Sequence, residues 1–75
     1  MPQYQRIREL REDNDKTQRD IAEYLHMPQP QYFRYEQGYR DIPTDILIKL
    51  ADFYNVSIDY LLNRTDIKMM NTAKR

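Results

Sequence analysis

The stretch MPQPQYFRYEQG, residues 27–38, gathers side chains suited to gripping a partner. It holds three glutamines, three aromatic rings and one arginine, and it closes on the only glycine in the chain. Glutamine offers a paired donor and acceptor, and arginine offers a planar fork of donors. The chemistry on offer is therefore contact with a partner more than bond making. A catalytic site needs a nucleophile and an orienting partner, and the sequence supplies neither at a useful spacing. His26 is the sole histidine and there is no cysteine, so a zinc site lacks its ligands, and His26 reads as a turn residue. The acidic cluster Glu9, Glu12, Asp13 and Asp15 lacks the glycine-centred loop of a calcium site and reads as a solvated face. The expectation is a non-enzyme that carries no cofactor and no metal and has no small-molecule ligand.

The elements that would position residues 27–38 are helices. In residues 4–13, Tyr4, Ile7 and Leu10 make one apolar stripe at helical spacing. Thr17 predicts an N-cap, with Asp20 three residues on in a variant of the capping box. Ile21, Ala22 and Leu25 supply the buried stripe of a second helix, which stops near His26 because Pro28 pushes Met27 out of the α region. A third helix runs to Gln37. It starts at Pro28, since prolines in a first turn cost little. Alternatively it starts at Pro30, which disfavours helix at Gln29. Gly38 then predicts a left-handed cap. Tyr32 and Tyr35 share the inner face, which leaves Phe33, about 100° round the helix, facing out.

Residues 39–43 read as a loop, and Thr44 as the cap of a fourth helix with Asp45 in its first turn. Leu47, Leu50, Ala51 and Tyr54 are its predicted inner stripe, flanked by Ile46 and Phe53. Asn55 ends it. Ser57 caps a short fifth helix, with Val56 and Leu61 placed to form a hydrophobic staple. The fold class is all-α, with five short helices. The packed domain is expected to span residues 1–62. Residues 63–75 form a polar, basic tail expected to be disordered.

At 75 residues the chain has room for one small domain. The absence of cysteine excludes a disulfide framework and fits a reducing compartment. No apolar run reaches membrane-spanning length and no signal peptide opens the chain, so a cytoplasmic location, away from membranes, is expected. Net charge is zero, from twelve basic and twelve acidic side chains. Residues 63–75 carry a net +3 and residues 1–62 a net −3. Any surface that meets a polyanion must therefore be a local patch.

TQRDIAEYLHMPQPQYFRYEQG, continued by RDIPTDILIKLADFYNVSIDYLL, resembles the helix-turn-helix of the lambda-repressor-like, Cro-type (XRE-type) DNA-binding domains. The resemblance covers roughly residues 5–62, and the cap, small residue, turn, Glu-x-Gly and staple fall in order. Where that family carries glycine in the turn, this chain has His26, which tolerates positive φ better than most residues. The resemblance implies that helix three enters the DNA major groove while helix two lies across the backbone. By position it places Gln29, Pro30, Phe33 and Arg34 toward the bases. It places Gln18, Tyr39 and Arg40 toward phosphates, and pairs Arg11 with Glu36 as a structural ion pair; the helix N-terminus at Thr17 offers further backbone N–H donors to a phosphate. The side chains suit those places: glutamine can bond adenine, arginine guanine, and Phe33 a thymine methyl.

The expected function is that of a sequence-specific regulator of transcription, most simply a repressor, bound to a double-stranded DNA operator as a homodimer. Ile58, Tyr60 and Leu62 are the candidate dimer surface. No sensing domain is expected to be attached. The competing expectation is a protein-interaction or antitoxin-like adaptor that reuses the fold, which zero net charge favours.

Overall fold

A computed structural model describes residues 4–67, which form five α-helices with no strand among them. In order these are α1 (Gln5–Asp13), α2 (Gln18–Tyr24), α3 (Gln29–Glu36), α4 (Thr44–Tyr54) and α5 (Ile58–Leu61).

Every helix ends in the same way. The residues just past the five helices, Asp15, His26, Gly38, Asn55 and Asn63, all have φ between 56° and 83°. At each end the next N–H reaches back to a carbonyl five residues earlier, at 2.9–3.0 Å: Lys16 to Arg11, Met27 to Ala22, Tyr39 to Arg34, Val56 to Ala51 and Arg64 to Asp59. The left-handed residue itself bonds three residues back. This pair of bonds is the Schellman arrangement, which satisfies carbonyls that a helix end leaves open. Only one of the five positions is glycine. The others are Asp, His and Asn, the residues that enter the left-handed region most readily after glycine. The chain therefore turns sharply after each helix without the glycine content such turns usually demand.

Of the predicted side-chain caps, Thr17 and Ser57 hold and Thr44 does not. Thr17 Oγ1 accepts from the Asp20 N–H at 3.1 Å while the Asp20 carboxylate accepts from the Thr17 N–H at 2.9 Å, a complete capping box. Ser57 Oγ accepts from the Tyr60 N–H at 2.9 Å. Thr44, expected as the cap of α4, is instead its first residue. The cap is Pro43, whose carbonyl accepts from both Ile46 and Leu47. Proline's fixed φ sets the entry to that helix, and the threonine hydroxyl is not needed.

The core joins Tyr4, Ile7 and Leu10 of the first helical segment to Ile21, Ala22 and Leu25, Tyr32 and Tyr35, Leu50 and Ala51, and Val56 and Leu61. Val56 and Leu61 are both fully buried, as the staple requires. Two core residues depart from the predicted pattern. Ile42, in the loop before α4, is buried, and its N–H donates to the Tyr4 hydroxyl at 3.3 Å. Ile46, four residues later, is buried with it, whereas Leu47 is only half-buried. Both stripes fit a 3.6-residue period; the anchored loop selects the one that continues from Ile42.

The first residues of the expected tail fold back on α1. Arg6 donates to the carbonyl of Thr65 at 2.9 Å, pairs with Asp66 at 3.6 Å, and lays its guanidinium over the Tyr60 ring at 4.1 Å. The rest of that tail, residues 68–75, lies outside the described residues. Ile58, Tyr60 and Leu62 pack against the core while each keeps part of its surface.

Left-handed geometry at the helix ends makes two substitutions opposite in effect. Gly38→Val should lower stability by about 1–2 kcal/mol, while His26→Gly should raise it by about 0.5–1 kcal/mol. Chemical denaturation checks both. An unchanged midpoint for Gly38→Val would contradict the cap.

Candidate nucleic-acid interface

The α2–α3 turn is residues 25–28. His26 turns left-handed (φ 59°), and Pro28 caps α3 in extended geometry, φ −63° and ψ 145°. The Pro28 carbonyl accepts from the N–H groups of Gln31 and Tyr32, at 3.1 and 3.3 Å. The helix therefore starts at Gln29, between the two predicted starts. Pro30 falls at its second position, where the missing N–H had no partner to lose. The penalty at Gln29 for preceding a proline is outweighed by these two bonds and by the burial of Tyr32 and Tyr35 one turn further on.

The inner face of α3 is Tyr32, Tyr35 and Glu36, all buried. The outer face is Gln29, Pro30, Gln31, Phe33 and Arg34, all exposed. All four residues that the resemblance places toward bases thus lie on the solvent side. Tyr39, 72% exposed, brings its ring to 6.3 Å from that of Phe33, edge to face. Arg40 is exposed beside it and shares with Gln31, Arg34 and Tyr35 a shallow cavity of about 320 Å³. At the other end of α3, Gln29 shares a second open concavity with Thr17, Arg19 and Asp20 at the start of α2. Residues of α3 thus share one concavity with Arg40 and another with the start of α2.

Behind this face sits one buried carboxylate. Glu36 accepts from Arg11 Nε at 2.8 Å and Arg11 Nη2 at 3.1 Å, from Gln18 Nε2 at 3.1 Å, and from the Tyr32 hydroxyl at 2.7 Å. The side chain of Glu36 is wholly inaccessible. Burial alone would push its carboxyl up. The hydrogen bonds from Arg11, Tyr32 and Gln18 outweigh burial and hold it below the usual glutamate range. Burial also pushes the Tyr32 and Tyr54 hydroxyls up, with the Glu36 charge adding to the effect. Asp20 is held below the usual range by the Thr17 backbone and side-chain hydrogen bonds.

The network changes the part Gln18 can play. Its amide nitrogen, expected to face a phosphate, is turned inward to Glu36. The first-turn N–H groups left without an acceptor at the start of α2 are those of Gln18 and Arg19, since the Asp20 N–H is held by Thr17.

Charge is sorted by face. Arg6, Arg8, Arg11 and Arg64 each lie within 4.0 Å of a carboxylate. Arg19, Arg34 and Arg40 have no such partner among the described residues, and neither do Lys16 and Lys49. Zero net charge thus conceals a side on which cations are unpaired. Arg19 and Gln31 join this surface without having been singled out by the sequence. The available signal for Gln31 was its spacing of three from Arg34. No group of acidic or histidine side chains suited to a metal ion occurs among the described residues.

A family described as "Helix-turn-helix" matches residues 7–61. The chain belongs to the XRE-type helix-turn-helix family. Its fold is accordingly the lambda-repressor-like all-α one, with the helix-turn-helix in α2 and α3. The helix-turn-helix relatives include the HTH-type transcriptional regulator ImmR of Bacillus subtilis (strain 168), 41% identical over 66 residues. That match covers 88% of this chain and 52% of ImmR. An uncharacterized HTH-type transcriptional regulator, YobD of the same organism, is 39% identical over 62 residues, covering 83% of this chain and 55% of YobD. A third, YqaE, is 34% identical over 56 residues, covering 75% and 48%. The chain spans about half the length of these curated relatives.

Glu36→Gln keeps the side-chain shape but removes the charge that Arg11 needs. It should cost roughly 3 kcal/mol near pH 7. Because the folded carboxyl titrates below the unfolded one, its contribution is complete above the unfolded pKa of about 4.3 and is lost as pH falls through the folded value. The stability gap between wild type and Glu36→Gln should therefore be constant above about pH 5 and narrow below about pH 4. Urea denaturation across that range measures it; a gap that widens toward low pH would contradict the assignment.

Proposed function

We propose that this protein is a sequence-specific regulator of transcription that seats the outer face of α3 in the major groove of double-stranded DNA. The observation that carries the proposal is the sorting of charge. Arg19, Arg34 and Arg40 are unpaired and flank the exposed Gln29 and Phe33, while the remaining described arginines are neutralised elsewhere. Phosphate contacts provide affinity and register, and base-edge contacts provide sequence preference. In this reading Arg34 and Gln29 read bases, Phe33 meets an apolar base edge, and Tyr39, Arg40 and the N-terminus of α2 hold the backbone.

The relatives' names, transcriptional regulators all, support the same reading. The output is repression, since a protein seated on the groove excludes competitors from the same site. Two copies bind as a homodimer to half-sites roughly 34 Å apart, one helical turn. Tyr60 is already engaged by Arg6, so Ile58 and Leu62 are the residues of the dimer surface that stay available. The setting is the cytoplasm, on the nucleoid, and no enzymatic step is involved.

Binding to random duplex DNA at rising salt tests the proposal against an adaptor role. Affinity should fall steeply with salt, and Arg40→Ala should flatten the logarithmic slope by about one unit. Arg34→Ala should relax preference at one base position, at a cost of about 1–3 kcal/mol on the preferred site. A protein without measurable affinity for duplex DNA at low salt would be an adaptor instead.

A further inference from the structure

The two buried tyrosines of α3 use their hydroxyls differently. Tyr32 gives its hydroxyl to Glu36 inside the network. Tyr35, although only 8% exposed, sends its hydroxyl to the rim of the cavity it shares with Gln31, Arg34 and Arg40. There it accepts from Gln31 Nε2 at 3.3 Å. A phenylalanine would fill the same place in the core, so the hydroxyl serves the surface.

Gln31 is exposed and stands one turn before Arg34 on the same helix. Its amide has two N–H donors and an oxygen with two lone pairs. With one donor committed to Tyr35, the amide keeps a second N–H and the oxygen Oε1, neither with a partner among the described residues; Oε1 is what Arg34 cannot supply. That oxygen can accept but not donate. In the major groove the groups that donate are the exocyclic amines of cytosine and adenine; guanine and thymine present carbonyl acceptors there. We propose that Gln31 is a further base-reading side chain beside Arg34, selecting a base with an exocyclic amine, and that the Tyr35 hydroxyl is the group that aims it. Gln31 then contacts the base, and Tyr35 acts through Gln31 as a positioning residue. Arg34 supplies donors and Gln31 an acceptor, so the two read complementary base edges from one cavity. This inference rests on the DNA-binding role proposed above.

The test is selection of bound duplexes from a random-sequence pool by wild type, Arg34→Ala, Gln31→Ala and Tyr35→Phe. Wild type should enrich cytosine or adenine at a position near the one that Arg34→Ala relaxes. Gln31→Ala and Tyr35→Phe should both lose that preference, by roughly 5- to 10-fold, the worth of one hydrogen bond. Both should keep the preference that Arg34 sets. If wild type enriches a motif and both variants enrich the same motif unchanged, Gln31 reads no base and the inference fails. If only Gln31→Ala changes the motif, the positioning role of Tyr35 fails. If Tyr35→Phe loses every preference together with its melting temperature, the hydroxyl is structural and the positioning role fails too. A wild type that binds duplex but enriches nothing overturns this inference together with the sequence specificity proposed above. Failure to bind any duplex removes the DNA-binding reading as well.

Discussion

One buried carboxylate gathers donors from three helices. Arg11 reaches Glu36 from α1, Gln18 from α2, and Tyr32 from within α3. A buried charge without partners is expensive, and one with good hydrogen bonds on every side is tolerable only in a single geometry. The consequence is positional. Glu36 is the last residue of α3, Gln18 the first of α2 and Arg11 lies in the last turn of α1. The network therefore fixes three helix ends relative to one another from behind, leaving the front of α3 free of internal work. A small domain with a marginal core gains a defined orientation for α3 from a few polar bonds. The apolar packing of Tyr32 and Ile21 alone would specify that orientation less sharply.

The same economy appears at the helix ends. Five Schellman turns place five short helices in sequence with a single glycine. Between α2 and α3 the left-handed residue is His26, and Met27 N–H closes the turn on the carbonyl of Ala22. Ala22 is almost completely buried, and a larger side chain there would hold α3 away from α2. The turn, the small residue and the Glu36 network act on the same relation, the placing of one helix across another. From that placing follow the two concavities, one shared by Thr17, Arg19 and Gln29 and the other by Arg34 and Arg40.

Local signals in the sequence were legible where the side chain acts on its own backbone. Thr17 and Asp20, Ser57, Gly38 and Asn55 are such cases, and so is the Val56–Leu61 staple. The division of α3 into an inner pair of tyrosines and an outer Phe33 follows from helical periodicity, and the outward place of Arg34 and the Arg11–Glu36 pair came from the family resemblance. What was not legible depends on contacts distant in the chain. Pro43 outcompetes Thr44 as a cap because the preceding loop is drawn inward at Ile42, and the partner for Ile42 is Tyr4, 38 residues away. Leu47 gives way to Ile46 for the same reason. Gln18 looks outward in a helical projection, and only the folded chain brings Glu36 to it. Residues 63–67 carry no periodic pattern, yet Arg6 holds them against α1 through one carbonyl and one carboxylate.

The central claim is that the side of the molecule bearing the unpaired arginines is the side that meets a duplex. Titrating isotope-labelled protein with duplex DNA and following backbone amide resonances tests it most directly. The account requires the largest shifts at residues 17–19, 29–34 and 39–40, with α5 and the segment after it little changed. Shifts concentrated on α4 and α5, with residues 29–34 silent, would show that the polyanion is met elsewhere and that the arginine face serves another partner.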